Sequence, residues 1–466
     1  MLKMRTVYGI LTIFLILIAG CSNYNSKEIR EQHANSYPLQ LAQKTTEILD
    51  NNQPLDLDEC IQLAMNNSLS FRETEIQQRL SLLEKKVSFS NFLPAVSLNY
   101  DKKWFDPQPM INFGATGIPM QDKDVQEITW NIQLSIFNPA TWCMYSMYSH
   151  GYEISKLVTD YTRQAIALQI TVQYYQCLSL EKTIAVLESQ LNAAKAVQSE
   201  LQAMANQGVA NNWKVEQANA LMLARQTELQ NTRNSLKQAK AELMSNMGLS
   251  PLKEVSLESQ LNQQVPEGSI EELITEALLN HPSMAISDRE VAIEKEKIKA
   301  AVTAFIPNIF GYASRVDTSD SHQVFSNYWV GGLSAAVTVF DGFANINYYK
   351  AAKELHKVSV LRRDQATITL MIQVIRAADQ VQIAKDRVQL ADQIEKASAM
   401  HLLEIQNQYK QGLIQTSDML TMTAEAQNAE VQSLQARFQY QTCIAILNNV
   451  MGRTKTVFED STNDAK

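Results

Sequence analysis

Few side chains in this sequence could make or break bonds, and only Cys21 sits where a covalent reaction is expected. Ahead of it lie Lys3 and Arg5, an almost wholly apolar run from Val7 to Ile18, and then Ala19-Gly20. A positive start, a short apolar stretch and small residues before a cut site read as a secretory signal over residues 1–20. The run is too short for a convincing spanning helix. Ile18-Ala19-Gly20-Cys21 resembles a bacterial lipobox, in which cleavage exposes the cysteine for lipidation, so Cys21 is expected to carry acyl chains such as palmitate. An ordinary signal with an incidental cysteine is the bland alternative.

The other candidates for chemistry come apart on spacing. Cys60, Cys143, Cys177 and Cys443 form no CxxC or other ligand pattern and read as packing residues or free thiols. His33, His150, His281, His322, His356 and His401 include no HExxH, so each is expected to be a polar or packing residue and no metal site is expected. The chain has no GxGxxG, P-loop or GxSxG. Acidic pairs such as Glu271-Glu272 read as a solvated helix start. No cofactor is implied, and the sequence does not read as an enzyme.

Charge and hydropathy narrow the classes further. A net charge of −8 argues against a nucleic-acid partner. Beyond the signal no stretch offers about 18 consecutive apolar residues, so no spanning helix follows it. The mean hydropathy of −0.21 suits a soluble chain. A β-barrel stays open, because its strands give only a weak alternating signal.

What must position any function is a chain written twice. Ala64, Asn67 and Ser68 match Ala277, Asn280 and His281 at an offset of 213, as Phe92-Leu93-Pro94 matches Phe305-Ile306-Pro307. Further on, Phe137-Asn138-Pro139 answers Phe340-Asp341-Gly342 at 203, and Gln207-Gly208-Val209 answers Gln411-Gly412-Leu413 at 204. Met247-Gly248 answers Met451-Gly452 at the same 204. A solenoid needs at least three units. Two copies instead suggest one pseudo-symmetric domain.

Breakers divide each copy. All eleven prolines lie at or before Pro307, and none falls between Ala140 and Ser250. Ala/Gln/Leu/Glu/Lys-rich sequence without breakers is helical by propensity. Helices are therefore expected over 140–206, 210–247, 343–410 and 413–450, with glycine at each turn. The 67 residues of the first span about 100 Å at about 1.5 Å per residue. Each shorter return helix, stacked on a second helix (283–306, or 69–93 from the first copy), nearly matches that length. The irregular linkers should form a belt midway. Leu180, Ile184, Leu187, Leu191, Ala194, Val197 and Leu201 form a coiled-coil-like stripe that needs a partner.

Between each Phe-x-Pro mark and the next long helix the period falls to two. Val96, Leu98 and Tyr100 alternate with polar residues, as do Ile128, Trp130, Ile132, Leu134 and Ile136. Strands are expected over 94–104, 126–137, 307–316 and 328–340, the length of tilted membrane strands. Trp104, Trp130, Trp142 and Trp329, with Tyr145, Tyr148, Tyr348 and Tyr349, suit interfacial girdles. A soluble hairpin packed on helices is the alternative. Four strands cannot close a membrane barrel, for which about eight are needed, so a membrane-embedded form must oligomerise.

The duplicated Ala-x-x-Asn, the duplicated Phe-x-Pro, Gly208 and Gly412 at the helix turns and the closing Met-Gly pairs together resemble the TolC-like outer-membrane efflux protein family, over about residues 55 to 453. The resemblance implies a mainly α, two-repeat fold with a membrane β-barrel portion. It implies four strands per protomer in a trimeric 12-stranded barrel, above a long coiled-coil periplasmic tunnel with an equatorial belt. The expected organisation is a lipidated segment 21–54, repeat one 55–250, a linker 251–267, repeat two 268–453 and a tail 454–466. The implied partners are two further copies in a homotrimer, a periplasmic adaptor (membrane-fusion) protein, an inner-membrane pump and outer-membrane lipid. The implied location is the outer membrane, lipid-anchored, with a periplasmic helical portion. The implied function is the exit duct of a tripartite efflux system. A duct for type I protein secretion, or a non-pore structural lipoprotein, are the alternatives. At the tip, Asp418 lies six residues past Gly412, where family members often carry gating carboxylates. Thr421 one turn on leaves that ring single, and Lys214 stands at the corresponding place after Gly208. Asp418 also reads as a first-turn aspartate stabilising its helix. Trp213 reads as an adaptor contact or as local packing.

Overall fold

The two stretches without proline fold into the two longest helices, and the rest of the chain is arranged along them. The computed structural model describes residues 25–49, 53–113, 116–258 and 265–453. The signal segment, Cys21 and the tail from 454 lie outside the described residues. Along the chain run α1 (Ser26–Ile48), α2 (Leu57–Asn67), α3 (Leu69–Ser90), β1 (Ala95–Trp104), β2 (Met110–Phe113), β3 (Thr116–Pro119), β4 (Asp124–Phe137), α4 (Pro139–Asn206) and α5 (Asn212–Asn246). Then follow α6 (Ile270–Asn280), α7 (Pro282–Thr303), β5 (Asn308–Thr318), β6 (Asn327–Ala336), α8 (Ala344–Lys410) and α9 (Thr416–Val450).

Helix α4, with Pro139 opening its first turn, has 68 residues and α8 has 67, each about 100 Å long. Each is ended by the same device. Gly208 donates to the Ala205 carbonyl at 3.0 Å and Val209 to Met204 at 2.9 Å, the paired bonds of a Schellman turn. Gly412 and Leu413 repeat the pattern onto Tyr409 and Gln408, both at 2.9 Å. Both glycines lie at positive φ (+75° and +73°), where a side chain is strained. The return helices start later than 210 and 413, because Asn211 and Gln415 are held extended as N-caps.

The lateral order is the central feature of the fold. In the half next to the strands, α3 packs on α4, α4 on α7, and α7 on α8. In the half next to the turns, α5 packs on α4, α4 on α9, and α9 on α8. The antiparallel sheet has the order β1-β4-β5-β6, so each strand continues the helix beneath it in the same sequence. The leucine stripe of α4 finds its partner inside the chain: Leu187 and Leu191 are buried with Leu229 of α5, beside Ile184 and Met222. On its other flank α4 meets α9 through amides, with Gln190 Nε2 donating to Asn428 Oδ1 at 2.9 Å and Gln427 Nε2 to Ser189 Oγ at 2.6 Å.

Two apolar cores sit at mid-height. One joins α2, the middle of α4 (Ile170, Tyr174, Leu178) and the end of α5 (Leu243, Met244, Met247). Its counterpart joins α6, the middle of α8 (Leu370, Val374, Val381) and the end of α9 (Ile444, Leu447, Met451). Both short helices open with a capping box: Glu59 N donates to Asp56 Oδ1 at 2.7 Å, and Glu272 N to Ser269 Oγ at 3.3 Å. Glu272 is thus a structural cap. The irregular chain is tied in by a parallel bridge between Leu55 and Leu257, and the Tyr174 hydroxyl donates to the Leu55 carbonyl at 3.1 Å.

Further details differ from the sequence expectations. The stacked pairs are exchanged: α5 ends against the start of α3 and α9 against the start of α7, because the ends of α2 and α6 seat on Gly248 and Gly452. The segment 21–54 contains a helix, α1, which runs through Pro38 and whose Thr45 Oγ1 accepts from Ser250 N at 2.8 Å. The loop after β1 holds a small hairpin, β2–β3. Strand β6 stops at Ala336 instead of 340, because its last partner, Asn308, is the first residue of β5. Val337, Val339 and Phe340 continue past that point and are exposed.

Candidate functional site

The strands build a two-faced surface from alternation alone. Register places Leu98, Trp130, Arg315 and Trp329 in one row, Val96, Ile132, Ala313 and Gly331 in the next, and Leu134, Gly311 and Leu333 in a third. Directly paired residues share a face, so one side of the sheet is largely apolar. The opposite side carries Ser97, Asn131, Gln133, Ser314 and Ser334, with Ser314 Oγ donating to Asn131 Oδ1 at 2.8 Å. Gly311 leaves room on the apolar face, since a Cβ there would lie 3.0 Å from Ile136 Cδ1. Ten-residue strands are about 33 Å long, the reach of a tilted membrane strand. Where strands meet helices, Phe89, Phe92, Phe137, Trp142 and Tyr145 stack in a collar with ring centroids 5.6 to 6.2 Å apart.

Both lateral edges of this layer are open. Among the described residues, strands β1 and β6 each have a partner on one side only. The helices along the same edges carry exposed apolar stripes at alternating three- and four-residue spacing. On α3 these are Ile76, Leu80, Leu83 and Val87; on α8 they are Ile368, Ile372 and Ile375, with Leu361 one heptad before.

At the far end, the turns bring the tip residues into equivalent frames. Asp418 is the third residue of α9 and Lys214 the third of α5, so the two repeats present opposite charges at one helical position. Asp418 is exposed in the first turn, where its charge complements the helix N-terminus. Trp213 is 60 % exposed, with Lys214 Nζ 5.9 Å from its ring centroid. Val209 and Leu413 are exposed beside the turn glycines. A Cβ on Gly208 or Gly412 would meet nothing within 4 Å, so φ alone selects glycine there.

A family model described as outer membrane efflux protein matches residues 273–453, the second repeat. The fold is that of solved outer membrane channels. This is a TolC-like channel fold. The Campylobacter jejuni CmeC outer membrane channel superposes with a TM-score of 0.76 at 15% identity, covering 88% of each chain. The outer membrane protein VceC of Vibrio cholerae gives 0.72 at 14%, over 85% of this chain and 96% of its own. The open state of the Neisseria gonorrhoeae MtrE outer membrane channel gives 0.71 at 17%, over 86% and 90%. Comparison of the sequence with curated proteins finds no match.

Within the TolC-like fold, the duplicated Ala-x-x-Asn marks have a packing role. Ala64 and Ala277 are fully buried, and Asn67 and Asn280 end α2 and α6 against Gly248 and Gly452. His281, the partner of Ser68 in the repeat, is buried and caps α7, its Nδ1 accepting from Ser283 N at 3.3 Å. Burial holds its imidazole below the ordinary histidine range. The four described cysteines are buried free thiols; burial pushes Cys177 up to about 12, far from a reactive thiolate.

One side-chain cluster escapes any reading by local spacing. Asp122, Asp320 and His322 meet beyond the strand ends, each offering one ligand atom within 4.8 Å of the others. Asp122 and Asp320 are 198 residues apart in the chain. No motif search over neighbouring residues could join them, because the pairing of β4 with β5 is what brings His322 to the two carboxylates.

Proposed function

We propose that this TolC-like protein is the outer-membrane exit duct of a tripartite efflux system, passing small molecules or ions outward. The shared lateral order of strands and helices, open at both edges, carries the reading. A four-stranded sheet cannot close by itself. Three copies related by a threefold axis would pair β1 with a neighbour's β6 and give a 12-stranded barrel. The same operation would lay the α3 stripe against the upper α8 stripe and close a helical tunnel. The unpaired strand edges and the exposed Ile/Leu stripes support this, because both are liabilities in an isolated protomer.

On this reading the apolar sheet face meets outer-membrane lipid, and Cys21 adds a lipid anchor. The helices descend into the periplasm, where the turns at Gly208 and Gly412, with Trp213, engage an adaptor protein and through it an inner-membrane pump. Three copies of Asp418 near the axis form the periplasmic gate. Transport then needs no bond chemistry in this chain: the conduit is wet, and the energy comes from the pump.

The test of membrane embedding is residue by residue. Ile132→Cys should react with a lipid-phase thiol reagent in outer membranes, and its neighbour Asn131→Cys should react only with a water-soluble one. Equal labelling of both by the aqueous reagent would refute the barrel.

A further inference from the structure

We propose that Asp122, Asp320 and His322 bind a divalent transition-metal ion of the zinc class, clamping the loop of the first repeat to that of the second at the outer end of the sheet.

The scaffold comes from strand pairing. Because β4 lies beside β5, the residues just before β4 and just after β5 emerge together. Ser319 N donates to the Gln126 carbonyl and Gln126 N to Ser319 Oγ, both at 2.8 Å, which locks the two exits side by side. Asp122 N then donates to Asp320 Oδ1 at 3.1 Å, and His322 N reaches the same oxygen at 3.2 Å. Ser321 donates to Asp122 from its N (2.7 Å) and its Oγ (3.0 Å). These bonds fix the Asp122 carboxyl in place beside Asp320 and His322.

On this scaffold His322 Nδ1 stands 3.3 Å from Asp122 Oδ1 and 3.3 Å from Asp320 Oδ1. One imidazole nitrogen carries at most one proton, so it cannot give a full hydrogen bond to both carboxylates. The spacing does fit a shared metal. Bonds of about 2.0–2.1 Å in a tetrahedral zinc site put ligand atoms about 3.3–3.4 Å apart.

The independent pointer is Asp320. Its residue exposure is 3 %, and its Oδ2 is buried with no hydrogen-bond partner. A buried carboxylate with an orphaned oxygen is expensive unless something positive completes it. Among the described ion pairs, only His322 engages Asp320. A divalent cation held by both oxygens of the Asp320 carboxylate would neutralise both carboxylates and satisfy the orphaned atom. One imidazole nitrogen with two carboxylates suits zinc, cobalt or nickel better than calcium or magnesium, which prefer all-oxygen shells. Water would complete the coordination.

The experiment uses full-length detergent-purified protein stripped of metal by chelator. Cobalt(II) serves as the spectroscopic probe and zinc as the competing ion. The expected result is one cobalt per chain, with visible bands of low-coordinate cobalt that zinc abolishes. His322→Ala and Asp122→Asn should each weaken zinc binding at least ~100-fold, since loss of a direct ligand should exceed the effect of an outer-shell one. His401→Ala should leave it unchanged. If Asp320→Asn does not fold, His322→Ala still decides, because that side chain is 29% exposed and its removal leaves the backbone bonds in place. Failure of the stripped protein to take up cobalt would overturn the proposal. So would undiminished one-to-one binding by the His322→Ala variant.

Discussion

Gly248 lies directly against the carbonyl of Asn67: a Cβ built on it would fall 2.2 Å from the Asn67 oxygen. The second repeat repeats the contact, with Gly452 2.9 Å from the oxygen of Asn280 by the same measure. Both glycines also stand at positive φ, +71° and +72°. The end of each return helix is thus pressed onto the end of the short helix that starts the next stacked segment. That contact explains why Asn-Ser or Asn-His and Met-Gly recur together in a sequence written twice.

A graded stability series follows from this contact. Gly208→Ala meets open space and only the backbone penalty, so it should destabilise by about 1–2 kcal/mol. Gly248→Ala adds a backbone clash and should be worse by a further ~1–3 kcal/mol or fail to assemble. Thermal inactivation of the purified variants, at one scan rate, would check the order. Equal effects at 208 and 248 would contradict it.

His281 should make the second repeat sensitive to mild acid. Its folded-state pKa is depressed by burial, so the folded chain binds fewer protons than the unfolded one below about pH 6.5. The stabilisation is full above that pH and is lost as pH falls towards the folded value. His281→Ser, which installs the residue of the first repeat, should flatten the melting temperature as pH falls below about 6.5. A wild-type profile already flat across that window would show that the imidazole is not held neutral.

The Glu276–Arg453 ion pair titrates lower. Hydrogen bonding from Arg453 depresses the Glu276 carboxyl, so its contribution is present above the ordinary carboxylate pKa and fades as pH falls through the folded one. Glu276→Gln should therefore differ from wild type in melting temperature at pH 7 and converge with it in stronger acid. Both residues are partly exposed, so the difference should be small.

Trp213 separates docking from folding. It is mostly exposed, so Trp213→Ala should change stability by less than ~0.5 kcal/mol. In the proposed duct the same change should lower adaptor crosslinking at the turn and efflux in cells. Loss of stability with crosslinking intact would make Trp213 a packing residue.

The mainly helical TolC-like fold is legible in the sequence because breakers are rationed. Pro139, Gly208, Gly248, Gly342, Gly412 and Gly452 fall at or beside helix ends, and the repeat offset ties them in pairs. What stays hidden is tertiary. Pro38 looks like a breaker, yet α1 passes through it. Val337 and Val339 keep the strand alternation, but β6 ends where its partner strand begins. The leucine stripe of α4 announces a partner without saying that it is α5. Asp122 and His322 are joined only by the pairing of β4 with β5, so their meeting has no local signature. Asp418 and Trp213 are visible as turn residues, while the roles proposed for them require neighbours outside this chain.

The account stands or falls on a pore. Purified protein in a planar lipid bilayer should conduct weakly, and in the proposed duct Asp418→Ala should raise that conductance by removing the proposed gating carboxylates. Correctly folded protein that assembles as proposed and opens no channel, in either form, would contradict it.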